Sequence, residues 1–249
     1  MNVWMNGGGH QSCGIAALIA LGELEPPDIA CIADTGFEQS TTWEYLEKWV
    51  APALQAAGVT PHRVYAKDYA TVGLWGGADG ETLLIPAFTT QGGKAGKLSA
   101  FCSNEWKVRV IDRWLRKEHG VKRGTKWLGF TVDELQRLQK DEKKWKKRYP
   151  LIDLRLNRWE AALLVKRVGW PEPPRSSCWM CPNHHQVEWR DIRDNKPEDW
   201  QKAVDFDRMI RIKDPHAFLH SDCVPLAEAN LDDMNESLFA RCESGVCFV

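Results

Sequence analysis

No apolar run in this chain approaches the ~20 residues that a membrane-spanning helix needs. The N-terminus has no basic segment followed by an apolar stretch, the signature of a secretory signal. Net charge is nearly absent too. With 33 Lys and Arg against 34 Asp and Glu, whole-molecule electrostatics supplies no argument for a nucleic-acid or membrane partner. Cysteine is too sparse, at 8 in 249 residues, for a disulfide-stapled fold, and a chain this long buries a core without staples. Internal repeats and low-complexity tracts are missing. These absences lead to the expectation of a soluble, cytoplasmic protein with no membrane partner.

What cysteine there is lies in suggestive places. Cys178-Trp179-Met180-Cys181 and the pair Cys242/Cys247 are closely spaced, and in a reducing compartment such pairs are more often metal or redox sites than bridges. Cys-x-x-Cys lets two sulfurs reach one metal, with Cys102 as a third donor and Cys242 or Cys247 as a fourth. His184 and His185 follow closely and admit zinc. Four thiolates suit zinc or an iron–sulfur cluster equally, and a plain redox dithiol is a third reading that leaves Cys102 unexplained. Cys31, inside the apolar run Ile29–Ala33, reads as core. Cys13 sits at a helix start, where a thiol can be activated, although core filler is the favoured reading. Cys223 is isolated and carries no assignment.

The order of elements gives a fold class. Val3-Trp4-Met5 is a short strand ending at Gly7-Gly8-Gly9, and Ser12 to Leu21 then carries helical periodicity. Asp28 to Ala33 reads as a strand buried on both faces, ending at Asp34-Thr35-Gly36. A second helix places Trp43, Leu46, Trp49 and Val50 on one face, with Pro52 kinking or shortening it. His62 to Ala66 is a third strand. Alternating strands and helices imply an α/β fold: a Rossmann-like parallel sheet flanked by helices, followed by a cysteine-rich C-terminal extension.

Residues 73–99 are rich in glycine and threonine and read as a long surface excursion or lid. A helix is expected over 104–119, burying Val110, Ile111, Trp114 and Leu115 and showing Arg109, Arg113 and Arg116 along one side. Trp127 to Phe130 reads as a strand, with Thr131 capping a helix through Leu138. Residues 140–148 are strongly basic and read as a helix face, solvated rather than in contact with nucleic acid. Tyr149-Pro150 would stop that helix, and another is expected over 157–168. The expected domains are 1–150, a nucleotide-binding α/β domain, and 151–249, a cysteine-rich helical region completing a metal-cluster site.

The glycine turn has a chemistry of its own. Backbone N–H groups pointing from a strand end into a helix N-terminus make a concavity suited to anions. In parallel sheets, ligands bind at the carboxyl ends of the strands, where Gly7–Ser12 and Asp34-Thr35-Gly36 both fall. The arginine stripe near Cys102 fits an anionic substrate, since guanidinium forks bind phosphate or sulfate in bidentate fashion.

Taken in order, these segments resemble the phosphoadenosine phosphosulfate (PAPS) reductase family of the adenine-nucleotide α-hydrolase, or PP-loop ATP pyrophosphatase, superfamily. Gly7-Gly8-Gly9-His10-Gln11-Ser12 is similar to the pyrophosphate loop, and Asp34-Thr35-Gly36-Phe37 to the Asp-Thr-Gly after the second strand. Phe101-Cys102-Ser103-Asn104-Glu105-Trp106-Lys107-Val108 resembles the segment in which a cysteine precedes a Lys-Val helix. Cys178-Trp179-Met180-Cys181-Pro182 stands where relatives carry Gly-Cys-x-x-Cys. The resemblance implies a nucleotide site formed by Gly7, Gly8, Gly9, His10, Gln11, Ser12, Asp34, Thr35, Gly36, Lys107 and Arg109. It also implies a [4Fe–4S] cluster on Cys102, Cys178 and Cys181, completed by one of the tail thiols (Cys242 or Cys247), with the other of Cys242 and Cys247 left as the reactive thiol. The implied cofactors are ATP or a PAPS-like adenylyl nucleotide, with Mg²⁺.

Three departures from the family pattern bear on the reaction. Gln11 replaces the usual aspartate, a single Cys102 stands for a Cys-Cys pair, and Trp127 to Thr131 lacks the arginines that would meet a sulfate. The expectation is therefore an iron–sulfur enzyme of sulfur transfer or reduction, a sulfurtransferase or sulfonucleotide reductase, with adenylation and pyrophosphate release ahead of true PAPS reduction. Its partners would be a nucleotide, a nucleic-acid or small-molecule sulfur acceptor, and a thiol or electron-donor protein. The competing reading is a zinc-stabilised nucleotide- or nucleic-acid-binding protein without turnover. The 13 tryptophans give that reading some support, although most fall at core spacings.

Overall fold

A computed structural model describes residues 1–78 and 80–232 of the chain. They form two compact units, each discontinuous in sequence. Among the described residues, the first comprises Met1–Ala70 and Trp106–Ser176, and the second comprises Thr71–Glu105 and residues 177–232. The chain thus passes between units at about residues 70, 105 and 176 rather than once near 150.

The first unit is built on five parallel strands: β1 (Asn2–Met5), β2 (Ile29–Asp34), β3 (Pro61–Tyr65), β4 (Gly124–Trp127) and β5 (Trp145–Arg148). Their order in the sheet is β3-β2-β1-β4-β5. The central strands carry apolar residues on both faces because helices cover both, and Trp4 of β1 lies in register with Trp127 of β4, both fully buried. The first three strands run outward from β1 on one side, and the chain then returns to β4 on the other. The switch point therefore lies between β1 and β4, where such sheets open a crevice at the carboxyl ends of the strands. The expected α/β parallel sheet is what forms.

Helix α1 (His10–Ala20) follows β1 after Asn6 and three glycines and is buried along most of its length. It packs against α3 (Arg158–Arg167), whose start is fixed by a capping box. There the Asn157 side chain accepts from the Glu160 N–H, and the Glu160 carboxylate accepts from the Asn157 N–H. Between these in sequence comes α2 (Arg109–Glu118), packed against β2 and β3, which buries Val110, Ile111, Trp114 and Leu115 as its periodicity predicts. Pro52 does not end the second helical stretch. A π segment over Leu46–Val50 closes with the Ala51 N–H donating to the Leu46 carbonyl, and helix Ala51–Ala56 continues beyond it with Pro52 in its first turn. A wide turn just ahead of the proline removes the clash its ring would make in a regular helix.

Two expectations for local structure are corrected. The basic stretch 140–148 contains no helix: Trp145–Arg148 is the edge strand β5, paired in parallel with β4. Trp145 points inward and is buried while Lys146 is exposed, a strand alternation that the density of lysine hides. Nor are residues 73–99 a surface excursion. They fold as part of the second unit and contribute Leu83, Leu84, Ile85 and Ala87 to its core.

In that second unit, Phe88–Thr89 pairs with Gly96–Lys97 and with Ala217–Phe218, all antiparallel. Two helices, α4 (Gln186–Asn195) and α5 (Pro197–Lys213), supply the rest of the frame. The buried Asp207 carboxylate of α5 holds the chain that follows, accepting from the Leu219 N–H (3.0 Å) and the Leu226 N–H (3.1 Å). Among the described residues, no helix is long and apolar enough to cross a membrane.

Candidate functional site

The loop 6–12 stands at the carboxyl end of β1, on the switch point. It is internally braced: the Gly7 N–H donates to Ser12 Oγ (2.9 Å) and the Gly8 N–H to Asn6 Oδ1 (2.7 Å). Gly8 takes a left-handed conformation, φ +75°, and a Cβ there would lie 2.9 Å from Thr42 Cγ2 and 3.1 Å from Ser176 Oγ. Gly9 is the N-cap of α1 and has no side chain to cap the helix, and the first turn of α1 contains no acidic residue. The helix therefore presents backbone N–H groups and a positive dipole end without a carboxylate to neutralise them. From across the switch point, Gly129 after β4 lies against the loop, where a Cβ would stand 3.4 Å from the Ser12 nitrogen.

The other expected site residues of this unit divide by role. Asp34 organises the tip of β2, its Oδ1 accepting from the Gly36 N–H (2.7 Å) and its Oδ2 from Arg63 Nε (2.8 Å). Thr35 Oγ1 accepts from the Phe37 N–H (3.2 Å), so the Asp34-Thr35-Gly36 turn is held by its own side chains. Gln11 donates from Nε2 to the buried Glu134 (3.2 Å), which also pairs with Arg137 and Arg158. Gln11 thus anchors the loop to the segment after β4. His10 lies 3.6 Å from Glu172 at the surface, and Arg109 is exposed at the start of α2. Of the arginine stripe, Arg113 donates to the Tyr69 carbonyl (3.0 Å), so it braces the fold.

Lys107 approaches Glu38 at 3.6 Å. Glu38 is buried and its Oε1 lies 2.6 Å from Ser176 Oγ, which also reaches the Gly7 carbonyl. Lys107, Glu38, Ser176 and Gly7 thereby form one polar chain ending at the glycine loop. Sequence reasoning missed Glu38, Ser176 and Arg63. The only local signal was their position: Glu38 two residues past Gly36, and Ser176 two residues ahead of Cys178.

The thiols are distributed between the units. Cys13 and Cys31 are core residues of the first, and burial pushes each thiol up to about 12, which removes the thiolate needed for reaction at neutral pH. Cys102, Cys178 and Cys181 all belong to the second unit and are partly exposed. The Cys102 N–H donates to the Leu84 carbonyl (2.9 Å), and the Cys181 N–H donates to the Cys178 carbonyl (3.0 Å), closing a turn that sets the two sulfurs on one short loop. His184 packs on Trp189 and brings Nε2 to 2.9 Å from the Cys178 carbonyl, while His185 caps α4 with Glu188. These histidines brace the cysteine loop. Among the described residues, no group of three His, Cys, Asp or Glu side chains is placed to hold a metal ion. Cys242 and Cys247 lie outside the described residues, so the full four-thiol set is not on view.

No protein-family model matches the sequence, and no curated protein matches it either. Among solved structures, the U34-tRNA thiolase NcsA from Methanococcus maripaludis, with its [4Fe-4S] cluster, is similar over 84% of this chain and 72% of that one, at 15% identity and a TM-score of 0.42. A likeness of that size assigns neither residues nor an activity to this chain, whose α/β class rests on its own strand order.

Proposed function

We propose that the first unit binds an adenylyl nucleotide, ATP in preference to a sulfonucleotide, with its phosphates on the N-terminus of α1, and that the protein is an enzyme using it for sulfur transfer or reduction. One observation carries the reading: at the switch point of a parallel sheet, a braced glycine loop leads into a helix whose N-terminus has no side-chain cap and no acidic first turn. Such an end attracts phosphate through its N–H groups and dipole. Gly8 and Gly9 allow close approach without a Cβ, and Lys107, beside Glu38, supplies a cation for a nearby phosphate.

In the adenylating form of the reaction, an acceptor oxygen attacks the α-phosphorus, pyrophosphate leaves, and a sulfur nucleophile then displaces AMP. The helix dipole and Lys107 stabilise the charge that builds on the departing phosphates. Cys102, Cys178 and Cys181, with Cys242, are the residues that would hold a [4Fe–4S] cluster or zinc, and a bound cluster would supply electrons or sulfide to the sulfur step. The three described thiols do not make such a site by themselves, so the sulfur step is assigned here only to thiolate chemistry. Whichever of Cys242 and Cys247 does not ligate the metal remains its proposed nucleophile.

Calorimetric titration of the anaerobically purified protein with ATP, AMP and PAPS tests the nucleotide assignment, and pyrophosphate and sulfite assays test the reaction. ATP binding tighter than AMP, with pyrophosphate release, is the expected result. Absence of heat with every nucleotide would sink the reading. A brown protein absorbing near ~400 nm supports the cluster, whereas a colourless protein with stoichiometric zinc favours the binder without turnover.

A further inference from the structure

The near-neutral chain hides a strong internal asymmetry of charge. Between Arg109 and Arg148 there are fourteen Lys and Arg against six Asp and Glu, leaving nineteen against twenty-eight in the rest of the sequence. Much of the excess is gathered on a single folded feature of the first unit. Residues 139–149 form a hairpin along the open edge of the sheet. The Tyr149 hydroxyl accepts from the Gln139 N–H (2.9 Å) and donates to its carbonyl (3.1 Å). Asp141 Oδ1 accepts from the Lys147 N–H (2.8 Å), and Glu142 and Trp145 exchange backbone hydrogen bonds (2.9 and 3.3 Å). At its tip, the Lys144 carbonyl accepts from the Gly124 N–H (3.1 Å), which brings Lys122 and Arg123 alongside.

We infer that this hairpin, with Lys122 and Arg123, is a nucleic-acid-binding surface. Lys122, Arg123, Lys140, Lys143, Lys144 and Lys146 are all exposed. The local acids are committed elsewhere: Glu142 pairs with Lys147 at 2.6 Å, and Asp141 holds a backbone N–H. Among the described residues, none of the six cations lies within ion-pair distance of a carboxylate. The hairpin is also a stable platform, because Trp145 turns inward, is buried and stacks under the Lys126 ammonium (4.7 Å). That inward turn also argues against a membrane: the hairpin has no exposed apolar side chain to insert between lipids. Six cations displayed on an edge strand and its return match the regular negative charge of a phosphodiester backbone. Recognition of that kind is electrostatic and indifferent to base sequence. The inference does not depend on the nucleotide reading. If both hold, it names nucleic acid as the acceptor class.

Fluorescence anisotropy of the full chain tests it, using labelled single-stranded DNA, single-stranded RNA and duplex DNA of about 20 residues over ~50–200 mM KCl. Micromolar binding is expected at the low end, with a log–log salt slope of about −4 to −5 for six contacts. The quadruple variant Lys140→Gln/Lys143→Gln/Lys144→Gln/Lys146→Gln should lose at least about tenfold in affinity and about 3 from the slope. A control neutralising Lys48, Lys67, Lys94 and Lys166, also exposed, should lose far less. Equal loss in the control would overturn the location, and equal competition by polyglutamate would overturn nucleic acid in favour of an acidic protein. Melting temperature confirms folding of both variants. ATP titration of the same proteins reads the nucleotide site separately, so failure of one proposal is distinguishable from failure of the other.

Discussion

The Ser176 hydroxyl lies 2.6 Å from Glu38 Oε1 and also within hydrogen-bond reach of the Gly7 carbonyl, joining segments 138 and 169 residues apart in the chain. A hydroxyl has one proton, so Ser176 serves one of these acceptors at a time, and the glycine loop and the Glu38–Lys107 pair are coupled through it. Removing it with Ser176→Ala leaves buried acceptors short of a donor. The expected cost is about 1–3 kcal/mol in urea unfolding, together with weaker ATP binding. Full stability in the variant would show that the hydroxyl is not needed as a brace.

The two glycines of the loop separate fit to the protein from fit to a ligand. Gly8→Ala places a Cβ against Thr42 and Ser176 in a left-handed conformation, so it should destabilise the fold by about 2 kcal/mol or more and distort the loop. Gly9→Ala meets nothing closer than 3.6 Å and keeps an ordinary φ of −96°, so its stability cost should stay within about 1 kcal/mol. Under the nucleotide assignment, Gly9→Ala should nevertheless cut ATP affinity about tenfold, because phosphates seated on the α1 N-terminus approach the backbone of its N-cap residue closely. Unchanged affinity in a folded Gly9→Ala protein would place the phosphates elsewhere.

The pattern of hits and misses in the sequence has a physical basis. Strand β1, its glycine turn and α1 were legible because the change from an apolar run to helical spacing happens across residues that can do little else. Strand β5 was not, because four lysines and an arginine around one inward tryptophan resemble a solvated helix when counted by charge, and only the pairing with β4 decides otherwise. Residues 73–99 misled in the opposite direction. Their glycines suggested a surface loop, while the run Leu83–Ala87 carried the core signal. The Ser176–Glu38 contact was invisible for a third reason: its partners are polar, distant in sequence and paired only by topology. Cys102, Cys178 and Cys181 were expected in one metal site, and what is on view is that they share a unit.

Arg155 occupies a position that suits glycine. It follows the helical turn Pro150–Asp153 with φ 57°, and its N–H and that of Leu156 donate back to Ile152 and Leu151, both at 2.8 Å, in the manner of a glycine-terminated helix. A side chain in the left-handed region costs about 1–2 kcal/mol, part of which glycine gives back through the entropy of the unfolded chain. Arg155→Gly should therefore raise stability by about 0.5–1 kcal/mol, seen as a rise of about 2 °C in melting temperature. A fall would mean that the arginine side chain contributes more than its backbone costs.

Lys126 and Asp112 form an ion pair in the first unit that is unequally buried: the lysine side chain is 1% exposed and the aspartate 26%, with the charges 2.6 Å apart at angles outside those of a good hydrogen bond. The asymmetry dictates which partner is the more costly to remove. Asp112→Asn leaves a buried ammonium without its ion-pair partner, with the Trp145 ring and the field of the more distant Glu142 as partial compensation, and breaking a buried pair in this way costs about 3–5 kcal/mol. Lys126→Met leaves a carboxylate that water can still reach, and it fills the vacated space with an apolar chain of similar length, so its cost should stay below about 2 kcal/mol. In the double variant neither charge remains, and its stability should lie close to that of Lys126→Met rather than to the sum of the two losses. Urea unfolding of the three proteins at neutral pH decides the matter. A larger loss for Lys126→Met than for Asp112→Asn would mean that the cation–π contact and the packing of the lysine stem outweigh the pairing of charge.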